Sequence, residues 1–311
     1  MVGDAVDGSA RRRAEYSSDA SNYRVVPRCV VFPRDVGDVL AVAELCRQEG
    51  VPITPRGGGT SVAGNAVGAG VVLDFSRHMG GVLAVDPEAR TASVEPGAVL
   101  DDLQAAAGRH GLRFGPDPSS HSRCTLGGMI GNNACGAHAM SYGTTAANVV
   151  SLDVLDGRGQ RLRVGPGGDE PAGLPELVER HVRPVAGELG RFGRQVSGYS
   201  LEHLLAERGG NLARALAGTE GTCAIVLGAE VRLVPSPAST ALAVLGYPDM
   251  AAAADAVTGL LPLGPLALEG IDARLVDLVR GRRAVPVLPA GAAWLLVEVA
   301  GETPAGAEAA A

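Results

Sequence analysis

Two glycine-rich stretches decide the fold: Pro55-Arg56-Gly57-Gly58-Gly59-Thr60-Ser61, and Thr125-Leu126-Gly127-Gly128-Met129-Ile130-Gly131-Asn132-Asn133. Glycine reaches backbone conformations that other residues avoid, and it has no Cβ to hold a ligand away. Successive backbone N–H groups in such a loop can point at one anion. Two such loops in one chain predict a long ligand with a phosphate end and a planar end.

The first stretch excludes two common nucleotide-binding loops. A Rossmann loop has the pattern GxGxxG and opens a helix, whereas this loop continues to Gly68 and precedes predicted strands at 71–74, 82–85 and 91–95. A P-loop requires a lysine, and all 27 basic residues of this chain are arginine. The sequence therefore predicts a different cofactor-binding fold.

Composition and charge restrict the class of protein. The 311 residues are 46% hydrophobic and 20% charged, with a net charge of −7, which is typical of a globular chain of about two domains. The arginines are scattered and not interleaved with aromatic residues, so nucleic-acid binding is not expected. The five cysteines include no CxxC pair, so neither a metal site nor a disulfide scaffold is expected. Because no signal-peptide pattern opens the chain, we expect a cytoplasmic location.

Residues 124–152 contain no Asp, Glu, Lys or Arg. A membrane-spanning helix of about 20 residues would also lack charge, but the Gly, Asn, Ser and Thr residues of this run are too polar for lipid. We expect the run to be buried around a bound cofactor.

Hydrophobic periodicity and turn residues predict three parts of the chain: a flexible tail over 1–21, a domain over 22–237 and a partial domain over 238–311. Predicted elements of the first domain include helices at 35–49 and 99–109, a hairpin within 149–164 and a long strand over 222–234. Those of the second are strands at 241–246 and 294–299, helices at 250–261 and 266–280, and a helix start at Thr303 and Pro304. This last pattern predicts that the chain is truncated.

Several motifs, in order, resemble the FAD-binding domain of the vanillyl-alcohol oxidase / p-cresol methylhydroxylase (PCMH-type) flavoproteins. They are 55–61, 71–74, 94–97, 115–119, 127–133, 142–143 and 218–222. The branch of D-lactate dehydrogenase, glycolate oxidase and D-2-hydroxyglutarate dehydrogenase is the most similar, and residues 267–272 resemble its substrate cap. The resemblance implies an α+β fold, with a two-lobed PCMH-type FAD-binding domain followed by the beginning of an α+β substrate cap domain.

The resemblance also implies non-covalent FAD. Some relatives attach the flavin to a His of the first loop, and here Thr60 occupies that position. The loop at 55–61 would hold the pyrophosphate through backbone N–H groups, and no metal ligands are predicted. The implied cofactor-binding residues are Pro55, Arg56, Gly57, Gly58, Gly59, Thr60, Ser61, Pro118, Ser119, Thr125, Gly127, Gly128, Gly131, Asn132, Asn133, Gly136, Tyr142, Gly143, Glu220, Gly221, Thr222 and Ile225.

The activity that the resemblance implies is oxidation of a small 2-hydroxy acid of the D-lactate, glycolate or D-2-hydroxyglutarate type, by hydride transfer to flavin N5. The alternative is an FAD-binding fragment or subunit without turnover on its own. The catalytic base stays unassigned, because in that branch it lies in a later region. His121, His138 and His203 are more simply structural. An iron–sulfur module or a quinone would accept the electrons, with the protein cytoplasmic or peripheral to the inner face of the membrane.

Overall fold

The computed structural model describes residues 5–189, 191 and 198–311. The chain divides into two compact units. Unit 1 comprises Met1–Phe114, Pro118–Ala134 and Thr144–Val234, and unit 2 comprises Gly115–Asp117, Cys135–Gly143 and Pro235–Ala311. Two short segments from the middle of the chain therefore group with the C-terminal residues.

The strands follow in chain order, with bounds that agree closely with most of the predicted ones. They are β1 (Val6–Asp7), β2 (Cys29–Val31), β3 (Ile53–Arg56), β4 (Val71–Asp74), β5 (Val82–Asp86), β6 (Thr91–Val94), β7 (Leu112–Phe114), β8 (Val149–Asp156), β9 (Arg161–Val164), β10 (Ala224–Pro235), β11 (Ser239–Tyr247), β12 (Ala267–Asp272) and β13 (Ala293–Gly301).

The α-helices are α1 (Ala10–Glu15), α2 (Val36–Gln48), α3 (Leu100–Gly108), α4 (Leu126–Asn132), α5 (Ala139–Tyr142), α6 (Thr145–Asn148), α7 (Leu174–Leu177), α8 (Leu212–Leu216), α9 (Met250–Leu260), α10 (Ala273–Arg280) and α11 (Pro304–Ala310). After α7 the chain continues as a π turn and then a 3₁₀ turn that contains Pro184. Within the described part of the chain, no helix has the length and apolar character needed to cross a membrane.

The first sheet of unit 1 has the strand order β1-β2-β4-β3, and β2, β4 and β3 run parallel. All four residues of β4 are buried, as expected for a parallel strand covered on both faces. α2 packs in the same cluster through Val39, Val42 and Cys46. Its N-terminus is capped by Asp35, whose carboxylate accepts a hydrogen bond from the Asp38 backbone N–H at 3.0 Å. The end of β3 at Arg56 leads into the first glycine loop.

The second sheet of unit 1 is antiparallel, with the order β5-β6-β10-β8-β9, and β7 pairs with β10. Its core includes Leu100 and Leu103 of α3, Phe114 of β7, and Leu126 and Met129 of α4. Removing a side chain of this size from water stabilises the fold by about 1.5–3 kcal/mol. α4 is therefore held against this sheet through its apolar face.

The structure has β1 and α1 within residues 5–21, where the sequence predicts a flexible tail over 1–21; residues 1–4 lie outside the described residues. β1 pairs with β2, with Val6 opposite Val31, and Ser9 caps α1. The Tyr16 hydroxyl donates to buried Asp74, and its ring lies edge-on to Phe32 with centroids 5.8 Å apart. These partners are distant in sequence, and the local pattern of this polar segment does not reveal them.

Unit 2 contains the antiparallel sheet β11-β13-β12. α9 covers one face, where Ala253 is buried with Leu295 and Val297. The continuous helix predicted at 266–280 is wrong in its first half, because residues 267–272 form β12 and only 273–280 form α10. Pairing with β13 outweighs the helix propensity of this short run, which Gly270 already weakens.

We expect Asp272→Ala to lower the free energy of unfolding by about 1 kcal/mol, because the Asp272 carboxylate caps α10 by accepting from the Leu275 backbone N–H at 3.0 Å. Urea unfolding measures the change. Asp277→Ala, at an exposed residue of the same helix that pairs with Arg280, is the control and should have a smaller effect. Equal losses in the two variants would contradict the capping role.

Candidate cofactor-binding site

A cavity of about 320 Å³ lies within unit 1. Its walls come from three stretches that are far apart in sequence: the first glycine loop, the loop and helix at 124–132, and the turn at 219–221. A cavity of this size is typical of sites for small molecules and cofactors.

The first glycine loop packs directly against the chain that enters α4. A Cβ on Gly57 would overlap the Thr125 side chain, and a Cβ on Gly58 would overlap the Arg123 carbonyl. The third glycine, Gly59, has a φ of +63°, which is the left-handed region that favours glycine. The two glycine motifs predicted from sequence are therefore in contact, and their backbones form adjoining walls.

The glycines of α4 lie on the helix face opposite the core. Leu126, Met129 and Ile130 are buried, whereas Gly127, Gly128 and Gly131 line the cavity. The helix begins at Thr125, whose hydroxyl accepts from the Gly128 backbone N–H at 3.3 Å. A Cβ on Gly131 would meet nothing closer than the Glu220 Cα, at 3.9 Å. This face therefore leaves backbone open to a flat ligand.

The turn at 218–222 is fastened to α4 by backbone hydrogen bonds. The Gly218 N–H donates to the Ile130 carbonyl at 2.9 Å, and the Glu220 N–H donates to the Gly131 carbonyl at 2.9 Å. A Cβ on Gly221, whose φ is +74°, would lie 2.8 Å from Pro55 Cγ. The turn thus contacts both glycine motifs and forms the third wall of the cavity.

Amide side chains supply polarity to the cavity. The Asn65 Nδ2 donates to Asn132 Oδ1 at 3.1 Å, and the Ser61 hydroxyl donates to the same oxygen at 3.4 Å. The Asn65 Oδ1 atom is buried without a hydrogen-bond partner among the described residues. A buried acceptor is normally paired, so this atom fits a donor supplied by a ligand. Open glycine backbone and an unpaired acceptor in one cavity both fit a nucleotide cofactor.

Most of the residues predicted from sequence to bind the cofactor line this cavity. They are Pro55, Arg56, Gly57, Gly58, Gly59, Thr60, Ser61, Pro118, Thr125, Gly127, Gly128, Gly131, Asn132, Glu220 and Gly221.

The other predicted residues do not line the cavity. Ser119 is exposed, and Ser120 lines the wall instead. Asn133 is the left-handed C-cap of α4 and accepts from the Ala146 N–H at 2.9 Å. The Thr222 hydroxyl donates to the Thr219 carbonyl within a turn, and Ile225 packs against a core cluster. The remaining three, Gly136, Tyr142 and Gly143, belong to unit 2.

Sequence reasoning missed the apolar wall and the far end of the first loop. The missed lining residues are Val62, Ala63, Asn65, Ala66, Phe75, Pro96, Ser120, Cys124, Met129, Ala134, Val154, Leu216, Thr219, Ala224 and Val226. Asn65 and Ala66 lie in the continuation of the glycine loop to Gly68, beyond the motif at 55–61 assigned to the cofactor. Nothing in the local sequence indicates that Val154 and Val226, on strands β8 and β10, reach the same cavity.

The three histidines considered as catalytic bases occupy different surroundings. His121 is exposed and lies 2.7 Å from Asp101. His203 is half-buried, and burial lowers its pKa below the usual 6.5. His138 is 8% exposed within unit 2. None of the three lines the cavity. Among the described residues, no group of three or more His, Cys, Asp or Glu side chains is arranged to hold a metal ion.

His138 lies between two carboxylates of unit 2. Its Nδ1 contacts Asp117, its Nε2 lies 3.1 Å from Glu298 Oε2, and its ring stacks on Tyr142 with centroids 5.9 Å apart. The Asp117 carboxylate also accepts from the His138 backbone N–H at 3.1 Å. The imidazole therefore lies between a carboxylate of the segment at 115–117 and a carboxylate of β13, in contact with both.

The fold and the glycine-walled cavity define a nucleotide-cofactor domain followed by a second domain, and comparison with known proteins identifies it. The FAD binding domain family matches residues 27–165, and the C-terminal domain family of FAD linked oxidases matches residues 236–311. The chain belongs to the FAD-linked oxidases with a PCMH-type FAD-binding domain, and FAD is its cofactor.

Three curated relatives illustrate the similarity. The D-2-hydroxyglutarate dehydrogenase of Pseudomonas putida is 34% identical over 86% of this chain, which covers 28% of that protein. The glycolate oxidase subunit GlcD of Bacillus subtilis is 31% identical over 94% of this chain and 56% of its own length. The D-lactate dehydrogenase of Archaeoglobus fulgidus is 32% identical over 87% of this chain and 55% of its own length. The chain thus spans between about a quarter and a little over half of these relatives.

A solved structure of alkyldihydroxyacetonephosphate synthase has the same fold. It matches with a TM-score of 0.70 and 18% identity, over 97% of this chain and 55% of that one. The predicted fold class is confirmed by this likeness together with the family match.

Gly57→Ala should weaken FAD binding at least tenfold and destabilise the protein by about 1–3 kcal/mol, because the added methyl group overlaps Thr125. Titration of the apoprotein with FAD and thermal unfolding measure the two effects. Gly108→Ala is the control, since a Cβ there meets nothing within 4 Å and should leave affinity unchanged. Unaltered FAD binding in Gly57→Ala would contradict the close packing of the two motifs.

His138→Ala should lower the free energy of unfolding by about 3 kcal/mol, because it leaves the Asp117 and Glu298 carboxylates facing the vacated space without the imidazole. His121→Ala provides a matched control on an exposed His–Asp pair, where about 0–1 kcal/mol is expected. Denaturant unfolding compares them, and losses of the same size would show that burial of the His138 cluster is unimportant.

Proposed function

We propose that the chain holds FAD non-covalently in the cavity of unit 1 and forms part of an enzyme that oxidises a small 2-hydroxy acid, the D isomer where the acid is chiral. The observation that carries the cofactor assignment is that the two glycine motifs and the turn at 218–222 meet around one cavity, with backbone as much of its wall. The substrate class rests on the relatives, whose names share an α-hydroxy carboxylate: D-2-hydroxyglutarate, glycolate and D-lactate.

The residues of the cavity support distinct roles in holding the cofactor. The backbone N–H groups of the loop at 57–61 suit the pyrophosphate, because a glycine-rich loop can turn several of them toward one anion. The Asn65 Oδ1 atom, buried without a described partner, suits an N–H donor of the cofactor. Val154, Leu216 and Val226 add apolar wall, which would exclude water from the cofactor. We keep Gly136, Tyr142 and Gly143 as predicted contacts.

The chemistry that FAD supplies when bound is acceptance of a hydride from the α-carbon of the substrate. Binding the substrate carboxylate calls for a cation, and arginine is the only basic type besides histidine that this chain offers. We assign no catalytic base to the residues of this chain. We propose an iron–sulfur module or a quinone as the electron acceptor.

A second function is an FAD-binding part of a larger protein without turnover on its own. The observation that favours it is that this chain spans only 28–56% of the length of the curated relatives above. In that case the isolated chain binds FAD, and the substrate-handling groups lie elsewhere in the complete protein.

Anaerobic bleaching of the flavin separates the two functions. The chain loaded with FAD is mixed with D- and L-lactate, glycolate, and D- and L-2-hydroxyglutarate, and absorbance near the flavin maximum is followed. Bleaching by one of the D acids or by glycolate is expected for the enzyme. A yellow protein that no acid bleaches, beside a longer version of the gene product that is bleached, favours the non-catalytic part. A protein that binds no added FAD contradicts both.

Acid precipitation should release all flavin into the supernatant. Thr60 stands where some members of the family carry a flavin-linking His, and a threonine hydroxyl does not form that bond. The absorbance spectra of pellet and supernatant measure the partition, with heat denaturation as an independent release step. Flavin that stays with the pellet after both treatments would overturn the non-covalent assignment.

A further inference from the structure

The first glycine loop is held from outside by residues 16–23, here called the N-terminal clamp. The clamp precedes residues 27–165, the part that matches the FAD-binding domain family. It is held by the residues that directly follow it, with the Val25 N–H donating to the Ser17 carbonyl at 2.8 Å and Ser18 bridged to Arg24. The clamp therefore has a defined shape of its own.

Arg56 joins the clamp to both ends of the loop. Its Nη1 donates to the Ser18 carbonyl at 3.0 Å and to the Ala66 carbonyl at 3.1 Å. Its guanidinium lies over the Tyr16 ring, 4.9 Å from the centroid, in the geometry of a cation–π contact. The Arg56 side chain thus links the start of the loop to Ala66 at its far end and to the clamp.

Tyr16 is fixed in turn by a buried carboxylate at the end of β4. Its hydroxyl donates to Asp74, which is 4% exposed and also accepts from the Ser76 backbone N–H at 2.7 Å and from the Ser76 hydroxyl at 2.6 Å. Burial, and then the bond to Asp74, raise the pKa of Tyr16 above its usual 10. The hydroxyl therefore stays a donor throughout the neutral range.

The clamp also touches the glycines themselves. The Ala20 N–H donates to the Gly59 carbonyl at 3.0 Å. The Asp19 carboxylate accepts from the Ala66 N–H at 3.3 Å and from the Ser21 N–H at 2.8 Å. A Cβ on Gly64 would overlap the Tyr23 ring. Contacts are thus spread along the whole loop from Arg56 to Ala66.

We propose that Tyr16 and Asp19 are positioning residues for the cofactor, which hold the loop at 57–66 in its binding conformation before FAD arrives. This inference rests on the proposed FAD site. Glycine has more conformational freedom to lose than any other residue, so a glycine loop that must be ordered on binding weakens affinity. Contacts that order the loop in the free protein remove that loss.

The test compares Asp19→Ala with Asp86→Ala on the full chain. The Asp86 carboxylate accepts from two backbone N–H groups of an exposed turn, at 2.9 Å each, and does not line the cavity. We expect the FAD dissociation constant of Asp19→Ala to rise roughly five- to tenfold, the effect of losing a hydrogen bond that orders the site, and that of Asp86→Ala to stay unchanged. Both variants should lose similar thermal stability.

Hydrogen exchange of the apoprotein gives the second readout. Amides of residues 57–66 should exchange faster in Asp19→Ala and in Tyr16→Leu than in the wild-type chain, and at the wild-type rate in Asp86→Ala. Tyr16→Phe keeps the ring under Arg56 and loses only the bond to Asp74, so it should give a smaller effect in both measurements. It also keeps the test available if Tyr16→Leu does not fold.

Wild-type affinity for FAD in both Asp19→Ala and Tyr16→Phe, with unchanged exchange at 57–66, would overturn the inference. An equal loss of affinity in Asp86→Ala would also overturn it, because general destabilisation would then explain the result. Failure of the wild-type chain to bind FAD would be a different outcome and would contradict the proposed function itself.

Discussion

The close approach of two backbones organises the cofactor-binding unit. Gly57 and Gly58 lie so near the chain at 123–125 that neither position has room for a Cβ. The same constraint recurs where Gly221 meets Pro55. Because these contacts remove side chains from the walls, the cavity presents peptide groups to a ligand. The backbone N–H groups that we propose for the pyrophosphate are thus accessible because of packing as well as the conformational freedom of glycine.

Regular secondary structure flanks the first glycine loop on both sides. The parallel strands β3 and β4 carry its start, and the buried apolar face of α4 carries the opposing wall. The clamp at 16–23 then reaches the loop from outside the matched FAD-binding region. The glycine loop is thus flanked by paired strands, a helix with a buried face and the contacts of the clamp, as preorganisation of a binding site requires.

Polar contacts as well as apolar packing join the mid-chain segments of unit 2 to its C-terminal sheet. The buried His138 contacts both Asp117 and Glu298. The Ser141 hydroxyl donates a hydrogen bond to the Leu266 carbonyl at 2.9 Å. Residues 115–117 and 135–143 are consequently part of the same compact unit as the C-terminal sheet. Residues of the C-terminal sheet and three of the predicted flavin-contacting residues, Gly136, Tyr142 and Gly143, therefore belong to one unit.

The sequence by itself determined most of the local elements, through strand and helix periods and capping residues such as Asp35. It also determined the family, through glycine motifs at positions that need a positive φ or a close approach of two backbones. The tertiary structure decided the features that depend on contacts between residues far apart in sequence. It made a strand of 267–272 and placed residues 16–23 beside the first loop. It also brought Val154, Val226 and Asn65 to one cavity. Side-chain identity sets local conformation, whereas these contacts join residues whose proximity no local pattern encodes.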